Sequence, residues 1–167
     1  NRLISTIQSG FRPGDSCIYQ LISITSDIYK YFEKHDETCA LFLDISKAFD
    51  KVWHEGLIHK LKSNGISGTL LNFFENYLSN RHQRVTLNGC ESSWRSISAG
   101  VPQGSVLGPL IFLIYINDLT ENIQSQMRLF ADDSSIFTPV IDVQVTHEQL
   151  VKDLETVSQW GYQWKMV

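Results

Sequence analysis

The residue pattern of this chain predicts an α+β fold, an antiparallel sheet backed by helices. Three observations carry the prediction. Residues 39–44 alternate, with Leu41 and Leu43 on one face and Ala40, Phe42 and Asp44 on the other, so a strand ends on an acid. Residues 127–131 and 134–138 read as two further short strands, and Asp132-Asp133 between them sits at a tight hairpin tip. Helical spacing recurs in longer stretches on either side of these segments.

Along the chain, Pro13-Gly14-Asp15 marks a turn. Asp15 or Ser16 then starts an amphipathic helix on which Ile18, Leu21, Ile22, Thr25, Ile28, Tyr29 and Phe32 fall at helical spacing. Beyond the first strand, Leu57, Ile58 and Leu61 give a short helix stopped by Gly65. Leu70, Phe74, Tyr77 and Leu78 give a second one after Gly68. Both are expected to pack on the sheet. Residues 82–87 and 92–97 flank Asn88-Gly89, a pair that accepts positive φ and so predicts a hairpin. A loop rich in Gly and Pro over 100–109 leads into the apolar run 110–116, and Pro109 suits a first helical turn. That run is apolar nearly all round, which predicts a buried helix. Thr146 with Gln149 forms a capping box for a last helix carrying Leu150, Leu154, Val157, Trp160 and Trp164. No internal repeat or linker breaks the chain, so residues 1–167 are expected to form one domain.

Composition narrows the class. With 43% hydrophobic and 19% charged residues the chain has enough apolar surface to bury a core, which excludes disordered and collagen-like proteins. Its longest apolar stretch, 106–116, falls short of the roughly 20 residues that cross a bilayer. No basic segment precedes an apolar one at the N-terminus, as a secretory signal would require. A soluble intracellular protein with no membrane partner is expected. Cys17, Cys39 and Cys90 are odd in number, scattered and without Cys-x-x-Cys spacing, which argues against a disulfide framework or a zinc site and predicts buried thiols. His35, His54, His59, His82 and His147 show no ligand spacing and read as surface residues. The net charge of −4 is uneven: residues 1–131 carry 12 basic and 12 acidic side chains, residues 132–167 carry 2 and 6. The acidic excess begins at Asp132-Asp133. Because the chain starts at Asn1 rather than Met and stops directly after a helical pattern, a fragment of a longer protein is expected.

Those acids carry the chemistry. Adjacent aspartates at a hairpin tip, near a third acid in a cleft, need a cation to stay ionised together. Asp44 ends another strand, and if that strand neighbours the hairpin the carboxylates converge. Such all-oxygen ligands suit Mg2+, which keeps waters and completes its shell from substrate phosphates. Taken alone, an Asp-Asp pair is more often a solvated turn.

Three segments change that balance. Leu-Asp-Ile-Ser-Lys-Ala-Phe-Asp at 43–50, Gly-Val-Pro-Gln-Gly-Ser-Val-Leu-Gly-Pro at 100–109 and Phe-Ala-Asp-Asp at 130–133 resemble, in order and spacing, the successive core motifs of reverse transcriptases. The resemblance has the flavour of non-LTR retrotransposons of the jockey type. Gln8-Ser9-Gly10-Phe11-Arg12 resembles the segment that precedes the first motif in these elements, and the helix with Trp160 and Trp164 resembles the approach to the next one. The likeness covers essentially the whole chain.

The resemblance implies a polymerase palm with part of the fingers and no thumb. In it, Asp44, Asp132 and Asp133 are catalytic and hold two Mg2+ or Mn2+ ions. RNA-templated DNA synthesis is the implied reaction, within a retroelement polyprotein, with an RNA template, a DNA primer and dNTPs as partners. Phe49 matches the bulky residue under the sugar that rejects a 2'-hydroxyl, and it reads equally as a core aromatic beside Val52 and Trp53. Gln103 and Gly104 belong to the loop that contacts the nascent base pair and template; by themselves they read as a turn into the buried helix. Asp50 matches too, and could equally cap the helix that follows. The thumb and the basic finger strands are expected outside this chain, leaving Arg2 and Arg12 as upstream candidates for triphosphate contacts. Alone, the fragment is expected to be weakly active or inactive. The alternative is a decayed or domesticated remnant that binds nucleic acid without catalysis.

Overall fold

The computed structural model of the chain describes residues 3–34 and 37–167. Among the described residues the α-helices and strands follow in this order: α1 (Cys17–Phe32), β1 (Thr38–Leu43), α2 (Ala48–Lys51), α3 (His54–Ser63), α4 (Gly68–Leu78), β2 (His82–Gln83), β3 (Thr86–Leu87), β4 (Cys90–Glu91), β5 (Arg95–Ser96), α5 (Leu107–Ile116), β6 (Gln126–Phe130), β7 (Asp133–Pro139) and α6 (Val143–Gln163), with a 3-10 turn, Asn117–Thr120, directly after α5. They fall into two compact units, Asn1–Ser46 with Ile116–Val167, and Lys47–Tyr115. Among the described residues no helix is long and apolar enough to cross a membrane.

The first unit holds the antiparallel sheet, ordered β1-β7-β6. Leu43 pairs with Ser134 and Leu41 with Ile136, while Leu129 and Met127 face the same two residues from β6. Paired residues share a face, so Leu41, Leu43, Met127, Leu129 and Ile136 form one apolar side. The other side carries Phe42, Gln126, Arg128, Ser135 and Phe137. Outside β6, the backbone of residues 7–9 adds a short parallel edge, Ser9 N donating to Leu129 O at 2.9 Å and Leu129 N to Ile7 O at 3.2 Å.

α1 starts as expected: Ser16 is its N-cap and its side chain accepts from Tyr19 N. The face it turns to the sheet is the unexpected one. Asp27 accepts from Arg128 and from Gln126, both at 2.7 Å, Arg128 also donates to Ser23 at 3.3 Å, and the Tyr31 hydroxyl donates to Gln126 at 2.7 Å. Burial pushes the Tyr31 phenol above its ordinary pKa, with the Asp27 charge adding to the effect, so it remains a donor. Ile18, Leu21, Ile22 and Tyr29 are exposed. Half-buried Arg128 and Gln126 need hydrogen-bonding partners, and the polar stripe of α1 supplies them at helical spacing.

The last helix also begins elsewhere. Asp142, not Thr146, is its N-cap, accepting from Val145 N at 2.9 Å, and Thr146 lies buried inside the helix. Farther along α6, Asp153 is 1% exposed, and its two oxygens accept from Gln124 N at 2.8 Å and Ser125 N at 3.0 Å. Trp160 Nε1 donates to Asp118 at 2.8 Å. These bonds tie α6 to the segment that feeds β6.

In the second unit α3 and α4 pack on each other, burying Leu57, Leu61, Leu71, Phe74 and Leu78. Lys60, also buried, donates from Nζ to Tyr115 O at 2.6 Å. The hairpin around Asn88-Gly89 forms, with positive φ at both residues, but as two short ladders, β3 with β4 and β2 with β5. α5 starts at Leu107, with Pro109 in its first turn, and Ile111 to Ile116 are buried as their apolarity predicts. Cys17 and Cys90 are exposed and Cys39 half-buried, which corrects the expectation of buried thiols: Cys17 opens a helix and Cys90 sits on a hairpin rim. His54 is no free surface residue either, since its Nε2 lies 2.7 Å from Gly100 O. His35 and Arg2 lie outside the described residues.

Candidate active site

In the first unit, β1 and β7 bring two of the expected acids to one place. The β1–β7 ladder ends with Leu43 paired to Ser134; Asp44 directly follows Leu43, and Asp133, the first residue of β7, directly precedes Ser134. Both are exposed, and both line a cavity of about 330 Å3 with Phe42, Phe130, Arg128 and residues of α1. The hairpin tip is narrower than the sequence suggests. Phe130 pairs with Asp133, leaving Ala131 and Asp132 as the two turn residues, so only one acid of the pair is at the tip. Asp132 is half-buried and does not line that cavity. Among the described residues, no three His, Cys, Asp or Glu side chains form a group that could hold a metal by themselves.

The second unit places the other expected residues. Phe49 lies in α2 and is half-buried, its ring stacked on Phe112 with centroids 4.2 Å apart and planes at 17°. This one face is spoken for, which is compatible with either expectation for the residue. The 100–104 loop is laced to α2 and the residue after it: Gly100 N donates to Val52 O and Val101 N to Phe49 O, both at 2.8 Å. A Cβ at Gly100 would press on the Asp50 backbone, with Asp50 O at 2.9 Å. Gly104 has a φ of +78° and open space around it, so its glycine serves the turn, not close packing.

Gln103 Nε2 donates to Asp50 Oδ1 at 2.9 Å, which aims the amide. Asp50 therefore has a task that sequence reading left undecided: α3, the helix that follows it, has Trp53 at its N-cap and no side-chain cap bond, and the Asp50 carboxylate orients Gln103. Lys47, Arg81 and His82 share a polar cavity of about 680 Å3 with Asp50 and Gln103. No local signal linked Arg81 and His82 to that loop, because the β2–β5 ladder brings them there.

Comparison with known proteins decides the family. Residues 2–167 match the family described as reverse transcriptase (RNA-dependent DNA polymerase). The chain belongs to the reverse transcriptase family. Within it, this reverse transcriptase domain is 33% identical to the RNA-directed DNA polymerase from mobile element jockey of Drosophila funebris, over 99% of the chain and 19% of that relative. It is 36% identical to the probable RNA-directed DNA polymerase from transposon X-element of Drosophila melanogaster, over 75% of the chain and 14% of the relative. The domain is thus jockey-like, and it spans about a fifth of the length of the jockey relatives it matches. An apo telomerase structure from Candida tropicalis, truncated from its C-terminal domain, superposes with a TM-score of 0.60 at 13% identity, over 88% of this chain and 32% of that one. At that identity the likeness is one of fold: a polymerase palm and fingers with an antiparallel sheet and helices.

Proposed function

We propose that this reverse transcriptase domain supplies the palm and part of the fingers of an RNA-directed DNA polymerase in a retroelement polyprotein. The polymerase extends a DNA primer on an RNA template from dNTPs. The observation that supports this most is that Asp44 and Asp133, each next to the Leu43–Ser134 pair, line one cavity beside the turn that carries Asp132. Exposed carboxylates are hard oxygen donors and fit Mg2+ or Mn2+. Mg2+ is usually held by one or two carboxylates plus substrate phosphates, not by a protein cage. Two acids on one wall and a third on the adjoining turn match that division, with Asp44, Asp132 and Asp133 as the ligands.

When bound, a pair of such ions lowers the pKa of the primer 3'-hydroxyl and neutralises charge on the leaving pyrophosphate. The chain's own contribution is placement. The β1–β7 register fixes Asp44 relative to Asp133. The Phe112 stack steadies Phe49 as a wall against a ribose 2'-hydroxyl, and Asp50 aims the Gln103 amide, which can donate and accept and so tolerates every base.

A metal shared between protein and substrate makes a specific prediction. Mg2+ with a dNTP should raise the melting temperature of the chain more than either alone, since a ligand present at 100 times its dissociation constant contributes about 2.7 kcal/mol. Asp44→Asn should remove most of that gain. Equal gains in both proteins would exclude Asp44 as a ligand. The selectivity prediction is separate: in a protein of the relatives' length, Phe49→Val should weaken discrimination against ribonucleotides roughly tenfold or more while primer extension continues. Unchanged discrimination would leave the Phe49–Phe112 stack as packing alone.

A further inference from the structure

We propose that Gln8 is the positioning residue of the turn that carries Asp132, holding Ala131 by both its N–H and its carbonyl. The inference rests on the polymerase site proposed above. Ala131 has a φ of 54°, the left-handed region that disfavours any residue with a Cβ. It is the first of two turn residues, a place where glycine is the usual solution when φ is positive. Some contact must hold the turn in this conformation, and Gln8 provides it. Its Oε1 accepts from Ala131 N at 2.8 Å and from Gly10 N at 2.7 Å, and its Nε2 donates to Ala131 O at 3.2 Å.

Gln8 is itself fixed. It is 2% exposed, and its backbone lies between two hydrogen bonds to Leu129 in β6. Arg12 Nη1 donates to Ser5 O and Gln8 O, both at 2.8 Å, which closes the segment on itself. Gly10 passes so close to the Ala131 backbone that an added Cβ would overlap Ala131 N. The segment 5–12 is therefore a cradle for the turn, anchored to the strand that leads into it. The direction of the Asp132 carboxylate follows from the backbone angles at 131 and 132. A small misplacement of a reacting or metal-holding group costs a large factor in rate. Gln8 acts through the turn and touches no substrate.

Two variants test this. Gln8→Met keeps length and apolar burial and removes all three side-chain bonds; Gln8→Asn keeps the amide but is one methylene too short to reach both groups. Amide hydrogen exchange on the chain should show Ala131 exchanging roughly 100-fold faster in Gln8→Met, while Ile136 and Phe137 in β7 stay as protected as in wild type. In a polymerase of the relatives' length, the single-turnover rate should fall up to roughly 100-fold. The dNTP KM and the active fraction found by active-site titration should stay unchanged. A merely structural role would lower the active fraction instead. Ala131→Gly, added to Gln8→Met, should recover part of the rate because glycine takes positive φ freely.

Wild-type exchange at Ala131 in Gln8→Met, or a wild-type rate per active molecule, overturns the inference. Should Gln8→Met fail to fold, Gln8→Asn is read by the same two measurements. If Asp132→Asn extends primers as well as wild type, the polymerase reading fails instead, and the exchange result still decides whether Gln8 holds the turn.

Discussion

Asp132→Asn, in a protein of the relatives' length, is expected to lower primer extension on an RNA template by about 10³-fold or more while leaving primer-template binding largely intact. The magnitude is that of losing a charge aimed at the transition state, for which single deletions cost about 10²–10³-fold, and here a metal ligand is lost as well. An amide keeps the size and polarity of the side chain but not the negative charge that holds a divalent ion. Binding should survive because it depends on basic residues neutralising phosphates, and this chain, at net −4, supplies few of them. By itself the chain should therefore bind a primer-template weakly and with steep salt dependence, and extend it little. Robust extension by the Asn variant would refute the catalytic assignment. Affinity without extension in the wild-type protein would favour the alternative of a binding module.

The parts of this site that sequence made visible are those with short-range signatures. β1, which leads into Asp44, and β6, which leads into the turn carrying Asp132, alternate in a two-residue period, and β7 pairs with both. The buried α5 is legible for a similar reason, being apolar at nearly every position. Asp133 shows the limit of that reading. A two-residue turn leaves no room for both acids at the tip, and turn length depends on which residues pair, not on which are acidic.

Elsewhere the misleading signals were also local. Apolar spacing on α1 predicts an amphipathic helix, yet the sheet face it meets carries Arg128 and Gln126, which hydrogen-bond to its Asp27. Thr146 and Gln149 have capping-box spacing, yet Asp142 caps the helix one turn earlier with a better acceptor at a freer position. Gln8 stands in a segment that the resemblance singles out, but nothing local links it to the turn. Its partner Ala131 lies 123 residues away, and only the parallel edge formed by residues 7–9 brings them together.

The largest loss of stability is expected at Asp153, for the same reason that it was invisible in the sequence. On a helix full of polar residues it reads as one more solvated acid; in the fold it is 1% exposed and gives one oxygen each to Gln124 N and Ser125 N. Hydrogen bonds to a charged group contribute about 1.5–3 kcal/mol each, and removing the acceptor leaves two N–H groups short of partners. Asp153→Ala should therefore cost about 3–5 kcal/mol, lowering the melting temperature by about 10 °C in a chain of this size. Asp153→Asn keeps one acceptor but turns an amide N–H2 toward the second donor, so it should recover only part of the loss. Because β6 begins at Gln126, directly after Ser125, amide exchange in the Ala variant should accelerate first at 124–127. A melting temperature within 2 °C of wild type, with unchanged exchange there, would show that Asp153 does not anchor the strand that leads to the Ala131-Asp132 turn.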